Sequence, residues 1–177
     1  MHDHEPRSLH GMARHYLGDL VYGANDGIIT TFAVVAGVTG ASLPARTILI
    51  LGFANLLADG FSMGASNVLA IRSGEAMRAS DGLGVEEPFA LRHGTATFVA
   101  FVLAGAIPLV AYLFPGSIGH RFPAAVALTL VTLFGVGAMR SLVTRAGLVK
   151  SGLEMLILGA AAAAVAYGVG AFLAGIT

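Results

Sequence analysis

Five apolar stretches of about twenty residues follow one another along the chain, separated by short polar segments. They run from about Leu20 to Ala41, Thr47 to Ile71, His93 to Phe114, Phe122 to Val143, and from near Gly152 almost to the C-terminus. At 1.5 Å per residue, about twenty helical residues cross roughly 30 Å of hydrocarbon. The pattern therefore predicts an all-α integral membrane protein with five transmembrane helices. Residues 1–18 read as a polar arm carrying His2, His4, His10 and His15, and residues 19–177 as a single transmembrane domain. The segment Arg72–Arg92 reads as a short solvated loop. Pro115-Gly116 signals a turn, and Pro108 predicts a kink because it removes one backbone donor from the third span.

Composition supports this and adds a direction. Hydrophobic residues make up 56% of the 177 and charged residues 11%, and the mean hydropathy is +0.81. A soluble domain has about a quarter charged residues. The formal net charge is zero, so there is no broad basic surface for nucleic acid. Absence of cysteine excludes disulfides, thiolate metal sites and cysteine nucleophiles. All ten Lys and Arg residues lie outside the spans or at their ends. In a five-span topology Arg7, Arg14, Arg72, Arg78, Arg92, Arg140, Arg145 and Lys150 share one side, and only Arg46 and Arg121 lie on the other. The positive-inside rule then puts the N-terminus in the cytoplasm and the C-terminus outside. With no targeting signal evident in the polar arm, a prokaryotic plasma membrane is the expected location.

The second span breaks the apolar pattern in an ordered way. Asn55, Asp59, Ser62, Met63, Ser66 and Asn67 fall within roughly 140° of one helix face. A carboxylate at membrane depth costs about 2.5–3.5 kcal/mol on insertion scales, so Asp59 marks a pathway or ligand site. The first span carries a second one, Asp26, beside Asn25 and one turn before Thr30. Asp26 lies about 9 Å in from its cytoplasmic end, and Asp59 and Met63 lie roughly 18 and 24 Å from the outer edge. All three thus fall at similar depth in the inner half of the membrane. Carboxylates and a thioether suit a divalent transition metal better than Mg²⁺ or Ca²⁺, and a desolvated carboxyl also suits proton exchange. The plainer alternative is a structural carboxylate bonded to a neighbouring Ser or Asn, with Met63 filling a gap.

The words DLVYGANDGIITTFAVVAGVTGA and LADGFSMGASNVLA resemble those of the vacuolar iron transporter family. That resemblance implies five transmembrane helices, a homodimer with the ion path between subunits, and movement of Fe²⁺, often Mn²⁺, out of the cytosol in exchange for protons. Asp26 matches the Asp of the family's first-helix motif, and Met63 matches the Met of its second-helix motif. No permanently bound cofactor is implied; the metal ions and protons are cargo, and the other partner is the lipid bilayer.

The chain departs from the pattern in three places. Arg72–Arg92 is too short for the long Glu- and Met-rich helical insert that collects metal in the plant-type proteins, leaving Glu75, Glu86 and Glu87 as weak attractors of metal. Asn67 stands where many bacterial relatives carry Glu. The plant-type acidic residue aligned with Asn55 is displaced one turn, to Asp59.

Two other functions compete. Ser66 of an intramembrane serine protease would need a base, and the nearest histidine, His93, lies at an interface. A non-transporting assembly protein would leave both carboxylates unexplained. The His-rich arm reads as a mobile polar tail, with weak metal binding as the alternative, and Glu154 as a surface ion-pair partner for nearby basic residues.

Overall fold

The computed structural model describes residues 9–114, 118–144 and 147–176. Its elements are all helices: α1 Leu9–His15, α2 Leu17–Gly40, α3 Ala45–Ser80, α4 Ala90–Gly105, α5 Ile107–Leu113, α6 Ile118–Thr144 and α7 Leu148–Ala174. Five segments are long and apolar enough to cross a membrane, with α4 and α5 together forming the third. The five-span all-α expectation holds. The Pro115-Gly116 turn and the residues His2 and His4 lie outside the described residues.

Helix α2 is the hub. Half of its most apolar window is buried, against 11% for α7, because α2 packs on α3, α4, α6 and α7 at once. Phe32 and Val35 of α2 meet a core that includes Leu56 of α3, Phe101 of α4 and Leu109 of α5, while Ile28 packs in a second cluster with Leu133 of α6 and Met155 of α7. Small residues let α4 lie between α2 and α3 at backbone contact distance. Gly23 and Gly27 of α2 sit on the Thr97 and Phe101 backbone. On α3, Gly60 faces Phe98 and Phe101, and Gly64 faces Gly94. The third span breaks at Ala106, where Pro108 in the first turn of α5 has no N–H to offer Ala104. That is the predicted kink.

Two boundaries differ from the sequence reading. Helix α3 has 36 residues, about 54 Å, and runs through Arg72 to Ser80, so the supposed 72–92 loop shrinks to residues 81–89. The sequence RSGEAMRAS holds good helix formers and no proline, and nothing halts it before Gly82. There the chain turns left-handed (Gly82 φ 73°), with Leu83 N–H donating to the Arg78 carbonyl at 2.9 Å and Gly82 N–H to Ala79 at 3.1 Å. This is a Schellman stop. The arm is likewise not wholly a tail: residues 9–15 form α1, and the first spanning helix starts at Leu17.

The same stop ends α2, where Leu43 N–H reaches Val38 at 3.1 Å and Ser42 N–H reaches Thr39 at 2.9 Å. Here the left-handed position is Ser42, φ 56°, exposed to solvent. Glycine takes that conformation without the Cβ penalty. Ser42→Gly is therefore expected to stabilise the fold by about 0.5–1 kcal/mol, read as a higher midpoint in thermal unfolding of the detergent-solubilised protein.

Candidate functional site

The carboxylates of Asp26 on α2 and Asp59 on α3 lie close enough to repel each other electrostatically. Both residues are half-buried, and among the described residues neither carboxylate takes part in a hydrogen bond or ion pair. Among the described residues, neither has the Ser or Asn partner that a purely structural carboxylate needs. Two like charges at membrane depth are costly until a cation or protons neutralise them. Met63 follows Asp59 by one turn on α3, is half-buried, and packs against the apolar cluster that contains Leu56 and Phe101.

The neighbouring polar residues divide into three groups. Asn25, beside Asp26, has a buried side-chain oxygen with no hydrogen-bond partner. The Thr30 hydroxyl donates to the Asp26 backbone carbonyl at 2.8 Å. Asn55 is half-buried one turn before Asp59, whereas Ser62 and Ser66 are exposed on α3. Helix α3 thus turns Gly52, Leu56, Gly60 and Gly64 inward and leaves its polar stripe along the edge of that packed face. Asn67 is different, for its amide nitrogen donates to Asp19 at 2.6 Å and to Thr97 at 2.8 Å.

Those bonds belong to a network that sequence reading missed. The Thr97 hydroxyl donates to the His93 carbonyl at 3.0 Å, and His93 Nδ1 meets Asp19 Oδ2 at 2.5 Å. Four residues from three helices are joined at the level where α2, α3 and α4 leave the apolar zone. Only the position of Asp19 on the same arc of α2 as Asp26 hinted at it.

The three glutamates also part company. Both Glu75 oxygens accept backbone N–H groups, from Glu86 at 3.0 Å and Glu87 at 2.9 Å, so Glu75 ties the connection to α3. Glu86 pairs with Arg78 at 2.8 Å. Glu87 alone faces nitrogen ligands, His15 and His93, each at 3.3 Å. Glu154 pairs with Arg140 at 3.6 Å, as expected of a surface partner. Among the described residues Ser66 has no histidine bonded to it, and the His93 ring is held by Asp19 through Nδ1.

Comparison with known proteins finds relatives over most of the chain. The profile described as the VIT family matches residues 17–82 and 74–171. The chain is 31% identical over 167 residues to vacuolar iron transporter homolog 1 of Oryza sativa subsp. japonica, covering 87% of this chain and 72% of that protein. It is 29% identical over 161 residues to vacuolar iron transporter homolog 3 of Arabidopsis thaliana, covering 86% and 80%. Over 224 residues it is 26% identical to vacuolar iron transporter 1 of Oryza sativa subsp. japonica, covering 94% and 88%.

Proposed function

The chain belongs to the VIT family, and from that premise we propose that it exports divalent transition-metal ions, Fe²⁺ and Mn²⁺, from the cytosol in exchange for protons. The observation that carries this reading is the Asp26–Asp59 pair, two carboxylates on adjacent helices that repel each other and that, among the described residues, have no hydrogen-bond or ion-pair partner, within a bundle of five helices long enough to span a membrane. A divalent ion would be held there by both carboxylates with Met63 as the softer donor, and protons would take its place when it leaves. Asn25, Asn55 and Thr30 supply oxygens beside the pair. Its membrane embedding follows from the five apolar helices, and the excess of Lys and Arg on one side supports a cytoplasmic N-terminus. A prokaryotic plasma membrane remains our assignment for its location; the relatives named above are plant proteins whose names place them at the vacuole.

The polar edge of α3 is what supports a homodimer. Ser62 and Ser66 are exposed beside half-buried Asp59 on a helix that otherwise shows the bilayer leucine, phenylalanine and alanine. A second copy laid against that edge would cover it and close the pathway. The native chain has no cysteine, so a single introduced thiol reports on this directly. Ser62→Cys is expected to form a disulfide-linked dimer in oxidised membranes, and Val165→Cys on the exposed face of α7 is expected to stay monomeric on a non-reducing gel.

The transport reading itself is tested by Fe²⁺ and Mn²⁺ uptake into vesicles containing the purified protein. Uptake above that of protein-free vesicles is expected. Equal uptake by the two would favour the assembly-protein alternative.

A further inference from the structure

We propose that His15, Glu87 and His93 form a second metal site, distinct from the Asp26–Asp59 pair, that binds a divalent first-row transition ion at the end of the bundle where α1 meets the 81–89 connection. Each residue comes from a different element: the last turn of α1, the connection itself, and the first turn of α4. One donor atom from each lies within 4.8 Å of the others. His15 Nε2 and His93 Nε2 both approach the Glu87 carboxylate at 3.3 Å. Adjacent ligands on one ion stand about 3.0–3.4 Å apart when metal–ligand bonds are about 2.1 Å, so each histidine stands from Glu87 at the spacing of neighbouring ligands.

Burial supplies an independent argument. His15 Nε2, Glu87 Oε1 and His93 Nε2 are all buried, and none has a hydrogen-bond partner. His93 as a whole is only 7% exposed. Three neighbouring buried polar atoms left unsatisfied are expensive, and one cation would satisfy all of them together. The far side of His93 is already arranged for this. Its Nδ1 is held by the Asp19 carboxylate at 2.5 Å, which fixes the ring's tautomer with the Nε2 lone pair facing Glu87 and His15. Asp19 is in turn held by Asn67 at 2.6 Å, making it a positioning residue in the manner of carboxylate–histidine–metal sites. Two imidazoles and one carboxylate select Fe²⁺, Mn²⁺, Co²⁺ or Zn²⁺ over Mg²⁺ and Ca²⁺. Glu87 also borders a cleft of about 440 Å³ lined by Arg72, Glu75 and Arg92.

The Asp19–Asn67 bond connects this site to α3, the helix that carries Asp59 and Met63. Its role as the capture site for cargo rests on the transport reading; metal binding at His15, Glu87 and His93 does not. The test therefore reads binding alone. Tag-free, full-length protein in detergent is titrated with Co²⁺, whose visible absorption reports imidazole ligation. Wild type is expected to give a saturable band at one ion per chain. His15→Ala and Glu87→Gln are expected to lose it or to need at least tenfold more Co²⁺, while Glu87→His, which keeps a third donor, retains a band at a shifted wavelength. Asp19→Asn is expected to weaken binding about 10–100-fold with the saturated band unchanged in shape, and Glu154→Gln, at the surface pair with Arg140, to leave it as in wild type. The proposal is overturned by a wild-type protein with no band, by a band that survives His15→Ala and Glu87→Gln, or by one lost equally in Glu154→Gln.

Discussion

Asp26→Ala is expected to lower metal flux at least about a hundredfold while leaving the protein folded. A unit charge about 4 Å from another is worth about 4 kcal/mol at an effective dielectric of 20, and each 1.4 kcal/mol is about tenfold in affinity. Even half of one such interaction with a divalent ion exceeds the predicted loss. The fold should not suffer, because among the described residues the Asp26 carboxylate holds no hydrogen bond or ion pair and is repelled by Asp59. Thermal unfolding of Asp26→Ala should match or exceed wild type, which separates a lost ligand from a lost structure. A variant that transports normally would remove Asp26 from the pathway.

Gly105→Val is the second large effect, and it acts on the fold. A Cβ at Gly105 would lie 2.6 Å from the Gly27 carbonyl oxygen and 2.6 Å from a methyl of buried Leu56. Leu56 has little room to yield and the α2 backbone has none, so α4 must move away from α2. Overpacking of this kind typically costs 1–3 kcal/mol, and with a branched side chain against backbone the upper end, about 3 kcal/mol, is expected. Gly168, which has nothing within 4 Å of an added Cβ, is the control. Gly168→Ala should be neutral or gain up to about 1 kcal/mol from helix propensity, in the same unfolding assay.

Much of this architecture was legible because the bilayer enforces a simple rule. A helix must be apolar for about twenty residues to cross it, so the five spans stand out in the chain, and the Pro108 break follows from one missing donor. Boundaries outside the bilayer lack that rule. The extension of α3 through Arg72–Ser80 hid behind its charged residues, although Gly82 was a readable stop signal. Asp26 and Asp59 could be paired by depth, because helix rise converts residue number into height. His15, Glu87 and His93 could not, for they lie on three elements whose approach depends on how the connection folds back over α4. Asn67 shows the same limit: its place on the polar stripe was visible, whereas its inward turn to Asp19 and Thr97 was set by packing.

The central claim is that the carboxylate pair couples a metal ion to protons, and one measurement addresses it most directly. Wild type and Asp26→Ala, reconstituted into liposomes holding a pH-sensitive dye and a metal indicator, are given Fe²⁺ and then Mn²⁺ from outside. For wild type the account predicts metal entry together with proton exit, each dependent on the other, and for Asp26→Ala neither. Metal entry with no change in internal pH, or equal fluxes for the two proteins, would contradict it.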